Sequence, residues 1–147
     1  RLGSIVVADI AAAAAASIEW PARVRWLWAE RQPAVVRGDR RLLELAVRNL
    51  LQNSVEALRA AAGTVTVGVA REEGEAVVTV ADDGPGIPAE LMDRVLDPFF
   101  TTKPQGIGMG LSIVQRVAEA HGGRVVVAAT CSAGATFHLR LPAAPET

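Results

Sequence analysis

Tyrosine is absent from this 147-residue chain, cysteine and lysine occur once each, and aromatic residues make up only 4% of it. One cysteine, Cys131, excludes a disulfide framework and a cysteine-rich metal centre. No apolar run approaches the roughly 20 residues that cross a bilayer. The alanine run over residues 11–16 is too short and too weakly apolar to do so. A cationic start followed by an apolar stretch is also missing, so no secretory leader is expected. The first residue is Arg1 rather than methionine, and the chain reads as a piece of a longer protein. Charge of one sign is lacking too. Fifteen basic residues face 16 acidic ones, for a net charge of −1, which argues against a protein that coats nucleic acid. All the basic residues but one are arginine, which makes the sole lysine, Lys103, conspicuous.

What is present suits one domain. Half the residues are hydrophobic and 21% are charged, enough to build a core and too apolar for disorder. Alternation and β-branching predict a strand over residues 4–10, and the alanines predict a helix over 11–18, which Pro21 ends. Short strands follow over 23–27 and 34–37. Asp39 reads as the N-cap of a helix over 40–62, with Leu43, Val47, Leu50, Val55 and Leu58 as its apolar face and Gly63 at its end. Residues 64–71 and 76–81 form a hairpin pattern. A loop over 82–88 leads to a short helix over 89–96. Residues 98–110 hold five breakers, Pro98, Pro104, Gly106, Gly108 and Gly110, and are expected to be mobile. A helix over 111–120, closed by Gly122 and Gly123, precedes a second hairpin over 124–129 and 135–141. The order predicts an α+β domain over residues 1–142: a two-layer sandwich whose mixed, mostly antiparallel sheet carries helices on one face. Residues 143–147 read as a tail.

Three segments carry chemistry. Asn49 and Asn53 lie a turn apart on one helix face, with Glu56 on the same stripe. Taken alone, such a stripe suits a solvated surface; the sharper reading is a row of carbonyl oxygens facing a hard cation such as Mg²⁺. The run Asp82-Asp-Gly84-Pro-Gly86-Ile-Pro88 follows a strand. It suits an ordinary turn, or a carboxylate that accepts from an exocyclic amine beside glycines that let a ligand approach. Gly106, Gly108 and Gly110 open a helix, either as a flexible connector or as a phosphate cradle, with Lys103 adding a point charge. Their spacing is neither that of a P-loop nor that of a dinucleotide fingerprint.

Taken together, Arg-Asn-Leu-Leu-Gln-Asn-Ser-Val-Glu-Ala, Asp-Asp-Gly-Pro-Gly-Ile-Pro, Pro-Phe-Phe-Thr-Thr-Lys and Gly-Ile-Gly-Met-Gly-Leu-Ser-Ile-Val make a more specific pattern. With the later Ala-His-Gly-Gly and Gly-Ala-Thr-Phe, this order resembles the ATP-binding catalytic domain of bacterial sensor histidine kinases. That domain belongs to the superfamily of gyrase, MutL and histidine kinase ATPases, with its Bergerat-type fold. The Thr-Thr-Lys-Pro form looks most like the nitrogen-regulation and oxygen-sensing type. The resemblance implies that Asn53 is the Mg²⁺ ligand and Asn49 its companion. Asp82 would accept from the adenine amine, with Gly84 and Gly86 beside the base. Gly106, Gly108, Gly110 and Leu111 would form the lid hinge and phosphate loop, and Lys103 a phosphate contact. Thr136 would support the adenine, and Phe99 and Phe100 would pack the lid.

Two departures bear on activity. Many sensor kinases carry a basic residue three positions after the metal Asn, where this chain has Glu56. Superfamily members that hydrolyse ATP place a glutamate base where this chain has Asn49, which cannot abstract a proton. The implied activity is therefore transfer of the γ-phosphate of Mg²⁺-ATP to a histidine on a dimerisation domain outside this chain. His121 and His138 lack the context of a phosphoacceptor and read as structural. The implied partners are that dimerisation domain and a response regulator, not nucleic acid. The fragment is expected to be a cytoplasmic monomer and the full-length protein a homodimer, with or without a membrane anchor. The alternatives are a serine kinase of the anti-sigma type and a non-catalytic nucleotide-binding module.

Overall fold

The computed structural model describes residues 2–58, 62–84, 107–130 and 134–144. Among the described residues, seven strands and three helices run in the order β1 (Leu2–Val6), α1 (Val7–Ala16), β2 (Val24–Arg31), β3 (Val35–Asp39), α2 (Arg40–Leu58), β4 (Gly63–Glu72), β5 (Glu75–Asp82), α3 (Ile107–Ala120), β6 (Arg124–Thr130) and β7 (Gly134–Pro142). Five strands form one sheet in the order β2-β4-β5-β7-β6, parallel only between β2 and β4. The helices make the second layer, as the α+β expectation requires. Val65, Val67 and Val69 of β4, Val78 and Val80 of β5, and Phe137, Leu139 and Leu141 of β7 bury their side chains in one core. Ile10 and Ala14 of α1, Leu50 and Leu51 of α2, and Val114 and Ala118 of α3 meet them there.

Several boundaries differ from expectation. The strand predicted over 4–10 stops at Val6, and Val7–Ile10 are helical. The Val7 amide donates to Ala34 O at 2.9 Å, which turns the chain. Val7, Ile10, Ala11 and Ala14 then recur at helical spacing, and all four are buried. Burial by that spacing outweighs the local β-propensity of the branched residues. Strand β1 pairs with β3 as a separate two-stranded sheet, an arrangement the pattern did not contain. β2 continues past residue 27 to Arg31 because its parallel partner β4 runs alongside, to Arg31 opposite Val69. Along β2, Trp26 stacks on Trp20 and meets Trp28 edge-on, and the Arg31 guanidinium lies 4.5 Å over the Trp28 ring.

Asp39 does cap α2, accepting the Leu42 amide at 3.1 Å, and this bond holds its carboxyl below the usual range. Helix α2 is described only to Leu58. Ala62 is not helical, and Gly63 opens β4 instead of closing the helix. The hairpin between β4 and β5 turns through Glu73 and Gly74, both at positive φ (52° and 81°), as a tight right-twisted hairpin demands. Ala143 and Ala144 belong to the fold and not to a tail. Their amides donate to Gly74 O at 2.9 Å and Val35 O at 2.7 Å, tying the two sheets together.

His121 is structural, as expected. Its Nδ1 donates to Val117 O at 2.8 Å and its Nε2 accepts the Asp39 amide at 3.0 Å, joining the end of α3 to the start of α2. A side chain at Gly38 would strike its ring. His138 pairs with Thr79 Oγ1 at 2.9 Å, and burial lowers its pKa.

Candidate functional site

The last residue of β5 decides the character of the site. Alternation along β5 turns Val78, Val80 and Asp82 toward the helices, so Asp82 sits where the strand's pattern would place an apolar residue. It is 5% exposed. Its Oδ1 accepts the Gly84 amide at 2.9 Å. Its Oδ2 is buried with no hydrogen-bond partner among the described residues. Burial pushes the carboxyl above the ordinary aspartate range, while the amides of Gly84 and Ala135 and the Ser54 hydroxyl pull the other way. A carboxylate oxygen held dry and unpaired fits a ligand donor.

The neighbouring Asp83 faces elsewhere and holds the Thr64 amide at 2.8 Å. Gly84 keeps the turn narrow, since a Cβ there would lie 3.0 Å from Asp82 Oδ1. Gly134, at φ +89°, lets the start of β7 close over the end of β5. A Cβ on it would collide with the Asp82 carbonyl. Gly134 opens the Gly-Ala-Thr-Phe stretch, where nothing in the sequence marks it for a role. Its backbone requirement becomes visible only once β7 is registered on β5.

Helix α2 crosses this end of the sheet. Its buried face runs through Leu43, Ala46, Val47, Leu50, Leu51, Ser54 and Leu58, and Asn49 and Asn53 lie on its partly buried flank. Asn49 Nδ2 donates to Leu45 O at 2.9 Å, a bond that uses its amide nitrogen and not its carbonyl oxygen. Ser54, one residue past Asn53, is fully buried and stands near enough to Asp82 to favour its ionised form, yet closes no hydrogen bond of regular geometry.

One expected residue does not join the site. Thr136 is registered opposite Ala81, so both point to the face of the sheet away from the helices. Asp82 is one residue further and points to the other face. The residue of β7 that approaches Asp82 is Ala135, through its amide. The motif's threonine is thus displaced by the period-2 alternation of the strand. Helix α3 begins at Ile107, a turn earlier than predicted, and places Gly108 and Gly110 inside the helix and Leu111, buried, at the end of its first turn. Gly86, Phe99, Phe100, Lys103, Gly106 and the predicted helix over 89–96 lie outside the described residues. Among the described residues no three His, Cys, Asp or Glu side chains group as a metal centre.

The sequence profile described as histidine kinase-, DNA gyrase B- and HSP90-like ATPase matches residues 38–145. The chain belongs to that family. It is similar to the signal transduction histidine-protein kinase AtoS of Escherichia coli K12, with 38% identity over 112 residues, which cover 76% of this chain and 18% of that protein. The chain therefore spans about a fifth of that relative's length. A mycobacterial sensor histidine kinase, MprB, has the same fold at TM-score 0.84 and 29% identity, covering 99% of this chain and all of that one. Full-length ShkA, solved in complex with AMPPNP, aligns at TM-score 0.84 and 26% identity over 99% of this chain and 32% of that one. By family and fold this is an ATP-binding catalytic domain of the sensor histidine kinase type.

Proposed function

We propose that this domain binds Mg²⁺-ATP between α2 and the ends of β5 and β7, and presents the γ-phosphate to a histidine outside this chain. The observation that carries the reading is Asp82 Oδ2, buried without a partner among the described residues, where an adenine amine would meet it. ShkA, a structural neighbour, was solved with an ATP analogue. Consecutive residues of α2 point about 100° apart. Ser54 therefore faces the sheet and Asp82, while Asn53 faces the flank along which the triphosphate would run. The Asn53 side-chain oxygen suits Mg²⁺, which would neutralise phosphate charge when bound. The free amides at the start of α3 suit the phosphates, and Lys103 would add a charge.

Asn49 offers no base to activate water, so the residues position phosphates instead of hydrolysing them. Both histidines of the chain are engaged in structural hydrogen bonds, which supports a phosphoacceptor elsewhere in the full-length protein. The partners would be a dimerisation domain bearing that histidine and a response regulator. No described helix is long and apolar enough to cross a membrane, and the reading makes the domain cytoplasmic.

Calorimetric titration tests this. ADP is expected to bind, with GDP at least about tenfold weaker for want of an amine at the Asp82 position. Asn53→Ala should remove the part of the ATP affinity that depends on Mg²⁺ and leave the metal-free part intact. Absence of ADP binding by the wild type would sink the reading. Equal losses with and without Mg²⁺ would remove Asn53 from the metal.

A further inference from the structure

His121 follows the last residue of α3, and its ring is held at both nitrogens. The main chain there is fixed as well. The amides of His121, Gly122 and Gly123 donate to Ala118 O, Glu119 O and Ala118 O at 3.0, 3.0 and 2.8 Å, with Gly122 at φ 77°, a turn that ends helices. A Cβ on Gly123 would strike the Arg140 carbonyl of β7, and one on Gly38 would strike the His121 ring. A side chain that served α3 alone would need one bond, Nδ1 to Val117 O at 2.8 Å. The second bond, from the Asp39 amide to Nε2 at 3.0 Å, spans 82 residues of sequence and reaches the residue just before α2. The Asp39 carboxylate caps that same helix at Leu42. One residue thus receives the end of α3 and starts α2.

Beyond this joint the two helices act as levers. They pack on one another, and since α3 ends where α2 begins, they run in opposite directions. Asn53 lies fourteen residues past Asp39, and Ile107, which opens α3, lies fourteen residues before His121. At 1.5 Å per residue each arm is about 21 Å long. The joint and the phosphate end of the site therefore occupy opposite ends of one helix pair. On arms of that length a swing of about 3° parts the far ends by about 1 Å. A displacement of about 1 Å is enough to spoil a site that works by fixed distances. We propose that His121 is a positioning residue. Its bond to the Asp39 amide sets the spacing between Asn53 and the amides that open α3, and so the fit of Mg²⁺-triphosphate between them. Asp82 stands on β5, on neither arm, so the base end of the site lies outside this effect. The inference rests on the nucleotide reading of the site and adds to it a residue that touches no ligand.

The test compares wild type, His121→Asn and His121→Gln, each titrated with Mg²⁺-AMPPNP and with adenosine, which reaches only the base end. All titrations are run well below the melting temperatures. Asn extends only as far as Nδ1, so it keeps the bond to Val117 O and loses the one to Asp39. Gln sets its side-chain oxygen near the place of Nε2 and can accept the Asp39 amide. His121→Asn should weaken Mg²⁺-AMPPNP about tenfold, the low end of what losing an indirect support does at a metal site. Adenosine affinity should not change, and His121→Gln should restore Mg²⁺-AMPPNP to within about twofold of wild type. Unchanged Mg²⁺-AMPPNP affinity in His121→Asn, equal losses for both ligands, or no recovery in His121→Gln would overturn the proposal and leave the nucleotide site standing. If the wild type bound neither ligand, the site reading itself would fall, and this inference with it. Should His121→Asn fail to fold, Gly38→Ala presses on the ring from the α2 side with His121 in place. It must then show the same loss for Mg²⁺-AMPPNP alone, and wild-type affinity for both ligands would overturn the proposal.

Discussion

Strand β5 carries a carboxylate at each end, and the two have opposite fates. Glu75, its first residue, accepts from Arg140 Nε at 2.8 Å and Arg124 Nη1 at 2.9 Å, while Arg140 also reaches Glu72 at 3.1 Å. The Arg140 hydrogen bond holds the Glu75 carboxyl below its usual range. Asp82, its last residue, is buried with one oxygen unpaired among the described residues and its carboxyl pushed upward. The backbone pairing is regular at both ends. What differs is the side-chain surroundings. One end commits its charge to internal ion pairs, and the other leaves a buried oxygen without a partner among the described residues. A charged group satisfied by its own chain is structural, whereas one left desolvated at a cost to the fold marks a site.

Three substitutions probe this contrast. The largest effect belongs to Gly134→Ala. It combines a strained backbone angle with a collision against the Asp82 main chain, and is expected to cost about 3 kcal/mol or more. That corresponds to a fall in Tm on the order of 10 °C for a chain of this size, together with loss of ADP binding. A Gly134→Ala protein with wild-type melting and affinity would show that the end of β5 is not held as described.

Asp82→Asn comes next. It should weaken ADP by about 1.5–3 kcal/mol, since an acceptor facing the amine becomes an amide. Its effect on stability should go the other way. An aspartate whose pKa is raised by folding binds its proton more tightly in the folded state, so it favours folding in acid and opposes it as pH rises above the unfolded value. The ligand-free variant should therefore melt no lower than wild type at pH 7, with the difference shrinking as pH falls toward the ordinary aspartate value. Thermal melts across pH would check this, and a variant that melts well below wild type at neutral pH would contradict it.

Glu75→Gln is the smallest. Its pKa is lowered, so its stabilisation is present above the ordinary glutamate value and lost as pH falls through the folded one. Because the pairs are partly exposed, the loss should stay within about 1 kcal/mol and shrink further in salt, with ADP affinity unchanged. A change in ADP affinity would mean that the two ends of β5 are coupled.

The fold was largely legible in the residues because its core follows simple periods: 3.6 along α2 and α3, two along β4, β5 and β7. It was misread where two periods overlap. Val7 and Ile10 suit a strand locally, and it is the packing of α1 against α2 and the sheet that makes them helical. Asp82 stands out in the sequence by its residue type at a strand end and Asn49 and Asn53 by their spacing, and the structure buries the first and sets the other two on the partly buried flank of α2. The site was not legible where a role depends on which way a strand residue faces, which misplaced Thr136 by one residue.

Positions 82 and 134 lie far apart in sequence and meet only when β7 zips against β5. Strands that close over such separations add their contacts late in folding, after the chain-entropy cost of bringing the segments together has been met. Helix α2 and the hairpin of β4 and β5 can form from nearer neighbours. The place where a nucleotide would sit is thus a late product of the fold, and a molecule bound there holds shut the closure that was made last.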